Sequence, residues 1–372
     1  MNTTSGLSRR QFLQGAGAVS ALAFGGAWVS RSWFLQQEDW LISACSDRQG
    51  RHYVAAFTPD GQIKSQIPVP ARAHECLSLA GQAGRALIVA RRPGDYLLEV
   101  DFASGRIVKQ IEAGAGRHFY GHACLLPTQG LVCTSQNDYG SGQGRLVFYD
   151  LASLKEVQSF DSGGIGPHQV KLMPDNRTLV VANGGILTHP DRPREKLNLD
   201  TMEPNLSYLD LNSGDNIGRF QLDNKRLSIR HLDVGAEGKV VAGLQYQGAK
   251  THVNPLLLSH DGQGPLQLFQ ASDATWLSMR QYIASVCVDG SNDRVIASCP
   301  KANKITFWQL STGRFLAEQR LRDGAGIVMS SQGVLASGGK GDLMAMSPDS
   351  HHSLFRHQSL RWDNHLTRLR WG

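Results

Sequence analysis

Five histidines occupy one and the same place in a recurring sequence phrase: His74, His122, His168, His231 and His365. Each opens an apolar run, as in HECLSLAGQAGRALIVA, HACLLPTQGLVCTS, HQVKLMPDNRTLVVAN, HLDVGAEGKVVAGL and HLTRLRW. Imidazole titrates near neutral pH and is the commonest protein metal ligand, so several brought together would make a transition-metal site. It suits iron, copper and zinc alike, and ligand type therefore leaves the ion open among these. Four ligands saturate a tetrahedral ion, so not all five need bind. Protons compete for the ring nitrogens, and binding should weaken below roughly pH 6.5. A structural reading stands beside this one. Duplication copies a residue without function, and Gly121-His122 has the form of a Gly-His pair that hydrogen-bonds within its own repeat.

The elements that position these residues are legible from a second phrase: an apolar strand, a turn and another strand. It reads VAAFTPDGQIKSQI from Val54, LLEVDFASGRIVKQI from Leu97, LVFYDLASLKEVQSF from Leu146 and LSYLDLNSGDNIGRF from Leu206. Further copies start at Leu256, Ile305 and Leu343. Anchored on Phe57, Val100, Tyr149, Leu209, Leu258, Trp308 and Met346, the copies recur at roughly 40–60 residues, the spacing of four-stranded propeller blades. Each such phrase supplies the third and fourth strands of a blade, and each histidine phrase supplies the first two. Tyr282 and Gly326 stand at the histidine place in the two remaining copies.

The C-terminal HLTRLRW reads as a first strand without a second, and DWLISACSD from Asp39 as a second without a first. Pairing them closes a ring and removes two bare sheet edges. The expected fold is all-β: a seven-bladed propeller over 36–372, preceded by a separate segment over 1–35. The five imidazoles should then ring one mouth of the central channel. Loops joining second and third strands should share that face, which makes Arg91, Asn137, Asn183 and Gln245 candidate ligand-binding residues. An insertion over 184–204, carrying His189, Asp191, Arg192, Arg194 and Lys196, could cover the mouth as a lid or lie solvated on the surface.

The six cysteines form no Cys-x-x-Cys, so a zinc ribbon and covalently attached c-type haem are unsupported. Cys124 and Cys133 could face each other across a hairpin, where buried free thiols are favoured over a disulfide. No G-x-S-x-G, P-loop or H-E-x-x-H occurs, and no catalytic carboxylate can be picked out among the many turn aspartates. The net charge of +6 is not gathered into a basic run or helix, which argues against nucleic acid as a partner.

Ser8-Arg9-Arg10-Gln11-Phe12-Leu13 followed by the apolar run Ala16 to Val29 resembles a twin-arginine export signal. No clean cleavage site follows, so the segment could stay as a membrane tether on an otherwise periplasmic protein. The chain also resembles a family of twin-arginine-exported propellers of unknown biochemical function. The most specific stretch is PHQVKLMPDNRTLVVANGGILTHPDRPREKLNLDTMEPNLSYLDL from Pro167. Members are often encoded beside imelysin-type iron-uptake lipoproteins and haem-containing oxidases. The resemblance implies a periplasmic role in iron acquisition, with iron-uptake proteins as partners, and supplies no catalytic residues. A monomeric binding or scaffold protein with a histidine metal site is the expectation. The rival is an enzyme: a metal-dependent oxidoreductase or a lactonase-like hydrolase.

Overall fold

Each recurring phrase folds as a pair of antiparallel strands, and the seven anchors all fall on the third strand of a sheet. The computed structural model describes residues 40–192, 195–330 and 333–370, so the stretch that resembles an export signal lies outside the described residues. Seven antiparallel sheets form a ring, a seven-bladed β-propeller. Among the described residues no helix is long and apolar enough to cross a membrane.

Burial follows the order of strands in a blade. In the sheet that starts with His74, the second strand Arg85–Ala90 and the third strand Tyr96–Asp101 are almost wholly buried. The outer strand Arg106–Glu112 is mostly exposed. Middle strands pack on a neighbouring blade at both faces and so read as near-continuous apolar runs, whereas the rim strand meets water. The rings of Trp308 and Trp276 stack at 4.8 Å between blades, one of several such seams.

Closure uses more of the C-terminus than HLTRLRW. Leu360–Trp362 pairs with Leu41–Asp47 through Cys45 and Trp362, and Thr367–Arg368 pairs with the same strand through Leu41 and Arg368. The innermost strand of this blade is therefore split, and His365 lies in the gap. Trp362 stacks on Phe57 at 4.5 Å, which ties the first closing segment to the core of the first blade. Deleting residues from Leu360 onward would strip one edge of Leu41–Asp47 and remove the buried Leu360, Trp362, Leu366 and Leu369, each worth about 2 kcal/mol. The expected result is loss of the cooperative melting transition; a truncated chain that melts like the full one would contradict closure through this blade.

Cys124 and Cys133 are register partners, and all six cysteines are free thiols. Burial pushes the Cys124 thiol up to about 11, so it is an inert apolar group.

Candidate metal centre

The innermost strand of five consecutive blades loses its register where the histidine stands. Pairing jumps from Ala73 to Cys76, from Phe119 to Ala123, from Pro167 to Gln169 and from Ile229 to Leu232. In the closing blade it lapses between Trp362 and Thr367. A bulge takes a residue out of the ladder and re-aims its side chain, and here each aims an imidazole into the channel. Backbone groups freed by the bulges find partners. The Ser43 hydroxyl donates to the His365 carbonyl at 2.7 Å, and that of Ser135 to the His122 carbonyl at 3.3 Å.

Residues beside the histidines reach across to the next blade. Glu75 Oε2 accepts from the Ala123 N–H, Gln169 Oε1 from the Leu232 N–H and Asp233 Oδ2 from the Val288 N–H, each at 2.9 Å. These bonds fix neighbouring blades relative to one another and so fix the distances between imidazoles.

The rings do not stand around an open mouth: they converge inside the channel as one packed cluster. His122 is at its centre, with ring centroids 4.9 Å from His74, 4.9 Å from His168, 5.3 Å from His231 and 4.8 Å from His365. Gly121, at φ +110°, makes room for this packing, because a Cβ there would sit 2.7 Å from His74 Cδ2. His122 is 0% exposed, and its Nε2 has no hydrogen-bond partner.

Two carboxylates flank the cluster. His74 Nδ1 lies 3.0 Å from Asp363 Oδ1, while Asp363 Oδ2 accepts from Arg72 Nε. His122 Nδ1 lies 3.3 Å from Glu75 Oε2. Burial alone would raise both carboxyls. The His74 bond, with Arg72 and Arg91, instead holds Asp363 far below the usual range, and His122 with Lys171 and His365 holds Glu75 down to about 2. Both are therefore acceptors that place a proton on Nδ1 and leave Nε2 of His74 and His122 with its lone pair free, the carboxylate–histidine arrangement of metal sites. Burial, opposed by Asp363, lowers His74 to about 4. Burial and then neighbouring imidazoles hold His231 and His365 well below the ordinary value, so the rings are neutral and fit to ligate.

Ligand atoms lie within 4.8 Å of one another in two triads, His74–His122–His365 and His122–His168–His231. Their surroundings differ. Arg230 Nη1 lies 3.4 Å from His168 Nδ1, and a guanidinium can only donate. His168 then carries its proton on Nε2, which faces His231 Nε2 at 3.2 Å. A nearby guanidinium and a committed proton both oppose a cation there. The first triad, with Asp363 and Glu75 behind it, fits a cation better.

The cluster divides the channel. On the loop side is a chamber of about 890 Å³, lined in part by His74, His168, His231, Arg91, Gln245 and Tyr282. Further along the innermost strands lies a smaller cavity of about 200 Å³, lined in part by Glu75, Lys171, Asp233 and His365. Arg91 and Gln245 thus reach the chamber as expected from their loops. Asn137 and Asn183 do not line it. The Asn137 amide donates to the Thr188 carbonyl at 3.0 Å, and that of Asn183 to the Ser162 carbonyl at 2.9 Å and to Asn205 Oδ1 at 3.0 Å. Both are buried and join insertion or blades together.

The insertion is pinned in place. Ile186, Thr188 and Met202 are buried, and Asn198 bridges the Leu187 N–H and the Gly185 carbonyl. Its Lys196 joins the chamber wall, whereas His189, Asp191 and Arg192 do not line it. Arg194 lies outside the described residues. At the two places without histidine, Tyr282 lies on the chamber wall and Gly326 allows the closing strand near: a Cβ there would meet Leu366 Cβ at 3.1 Å.

Sequence reasoning missed Glu75, Asp363, Arg72 and Arg230. The available signal was a charged residue next to a repeat histidine inside a buried strand, as in His74-Glu75, Arg230-His231 and Asp363-Asn364-His365. It also missed His118, buried between Tyr120 and Tyr139 with both ring nitrogens unbonded.

Among solved structures the chain is similar to Kuenenia stuttgartiensis hydrazine synthase, with a TM-score of 0.61 over 84% of this chain and 94% of that chain. The identity is 11%, so the likeness is one of fold alone. No curated protein matches. A family model described as "Protein of unknown function (DUF1513)" matches residues 67–369, and the chain belongs to that family.

Proposed function

We propose that this propeller is a metal-binding protein that holds one transition ion on His74, His122 and His365. One observation carries the reading: His122 is fully buried in contact with four other imidazoles, its Nδ1 faces Glu75, and its Nε2 has no hydrogen-bond partner. A histidine kept for structure would be hydrogen-bonded, because a buried polar atom without a partner costs about 1–3 kcal/mol. The in-blade bond expected of a structural Gly121-His122 pair is not made. Asp363 and Glu75 would fix the ring orientations and raise ligand basicity. Because His122 belongs to both triads, a single ion is the simpler occupancy.

Iron in the periplasm is the setting we favour, with periplasmic iron-uptake proteins as partners. Its support is the family resemblance and the arginine pair of residues 8–13. The test is to strip the full chain of metal, refill it with iron(II), copper(II) or zinc, and measure bound ion after gel filtration at pH 7. One ion per chain is expected; no retention of any of the three would overturn the reading.

A second reading, metal-dependent catalysis, is favoured by the chamber of about 890 Å³ next to the cluster. Three protein ligands leave an open position for a reactant, and convergent buried titratable groups beside a cavity are what an enzyme requires.

A further inference from the structure

The chamber wall carries Arg72, Arg91, Arg92, Lys196, Arg230 and Lys301, against a single lining carboxylate, Asp95. Arg72 and Arg91 are engaged by Asp363 behind the wall. The other four have no carboxylate partner among the described residues. Arg230 is the telling one. It is 7% exposed, and its contacts are the Ser228 hydroxyl at 2.9 Å and His168 Nδ1 at 3.4 Å, both neutral. A buried guanidinium without a counter-charge is costly, and a chain that places three more cations beside it adds repulsion.

The neighbours are held in place as a binding surface would be. Arg92 donates to the Tyr120 hydroxyl at 3.2 Å and lies 5.1 Å over its ring. Lys196 donates to Gln247 Oε1 at 2.6 Å, and Lys301 stands 4.1 Å over the Tyr282 ring. Burial and neighbouring cations depress Lys196 and Lys301, which marks the crowding of like charge.

We infer that this chamber binds a small, multiply charged oxyanion, bearing at least two carboxylate or phosphate groups, against Arg92, Lys196, Arg230 and Lys301. Guanidinium forks match both kinds of group, ammonium groups add point charge, and a volume of about 890 Å³ is that of a small-molecule site. The cations alone carry this inference; an ion on the imidazoles is not needed for it. Should the ion be present, the oxyanion would lie against the His74, His168 and His231 side of the cluster.

The experiment is calorimetric titration of the metal-free full chain with citrate, as the carboxylate probe, and with pyrophosphate, as the phosphate probe. One site is expected for at least one probe, with affinity falling as salt rises, and the tighter probe identifies the group recognised. Arg230→Gln should weaken binding about tenfold or more, the worth of one charge-assisted hydrogen bond. Arg92→Gln and Lys196→Gln, at less buried positions, should do the same and serve if Arg230→Gln does not fold. Because the titrated chain is free of metal, its binding of either probe is read separately from the metal reading. Neither probe binding at millimolar concentration, or the Arg and Lys variants binding like the parent, would overturn the inference.

Discussion

His122→Ala should abolish metal retention, whereas His168→Ala should leave affinity within about tenfold. His122 belongs to both triads, so its loss dismantles either one. Outer-shell changes at metal sites typically cost about 10–100-fold, and loss of a ligand from a set of three should exceed that. His168 is different because Arg230 beside its Nδ1 commits the proton to Nε2, which points at His231. His365→Ala should therefore behave like His122→Ala, and Asp363→Asn should fall between, since it loses orientation of His74 without losing a ligand. Equilibrium dialysis at pH 7, with circular dichroism to verify the sheet content, decides the order. If His168→Ala loses the ion and His365→Ala keeps it, the second triad is the site.

The metal-free protein should lose stability steeply as pH falls from about 6.5 toward 4. Buried His74 is lowered to about 4, and His168, His231 and His365 are also held well below their ordinary value, burial being the first cause in each. Below pH 6.5 the unfolded chain takes up protons on these imidazoles while the folded chain does not. Stability conferred by their neutral burial is thus full above the unfolded value and is lost as pH falls toward the folded values. Each such group contributes at most about 1.4 kcal/mol per pH unit, so their combined loss is a sizeable part of the ordinary stability of a domain, about 5–15 kcal/mol. Glu75 and Asp363, lowered by their partners, add a further loss at still lower pH. Thermal melts of chelator-treated protein at pH 7, 6 and 5 should show a steep fall, which a saturating ion reduces by binding only the folded state. A midpoint unchanged from pH 7 to 4.5 would contradict neutral burial of the cluster. The same shifts revise the expectation that binding weakens below pH 6.5: in the folded chain His74 and His365 stay neutral well below that.

The propeller was legible because each blade repeats the same physical problem: buried middle strands, tight turns and an exposed rim. The seven anchors from Phe57 to Met346 all sit on third strands for that reason. The five histidines were legible as equivalent positions. Their convergence inside the channel was not, because a bulge such as the one between Phe119 and Ala123 leaves no signature in hydrophobic periodicity. The first part of the closing strand was missed because Asp363 and Asn364 separate Leu360-Arg361-Trp362 from HLTRLRW with polar residues that a ladder strand would not need. Asn137 and Asn183 resembled exposed loop residues; the burial of Asn137 depends on the insertion, and that of Asn183 on Ser162 and Asn205, 21 and 22 residues away. Asp363 could be tied to His74 only by ring closure, across a separation of 289 residues.

Anomalous diffraction from a crystal of the full chain loaded with zinc, recorded on both sides of the metal absorption edge, locates the ion without assumption. One edge-dependent peak per chain is expected, within ligating distance of His74, His122 and His365, about 2.0–2.1 Å from each imidazole nitrogen. A loaded crystal with no peak inside the channel, or with a peak held by residues outside the histidine cluster, would contradict it.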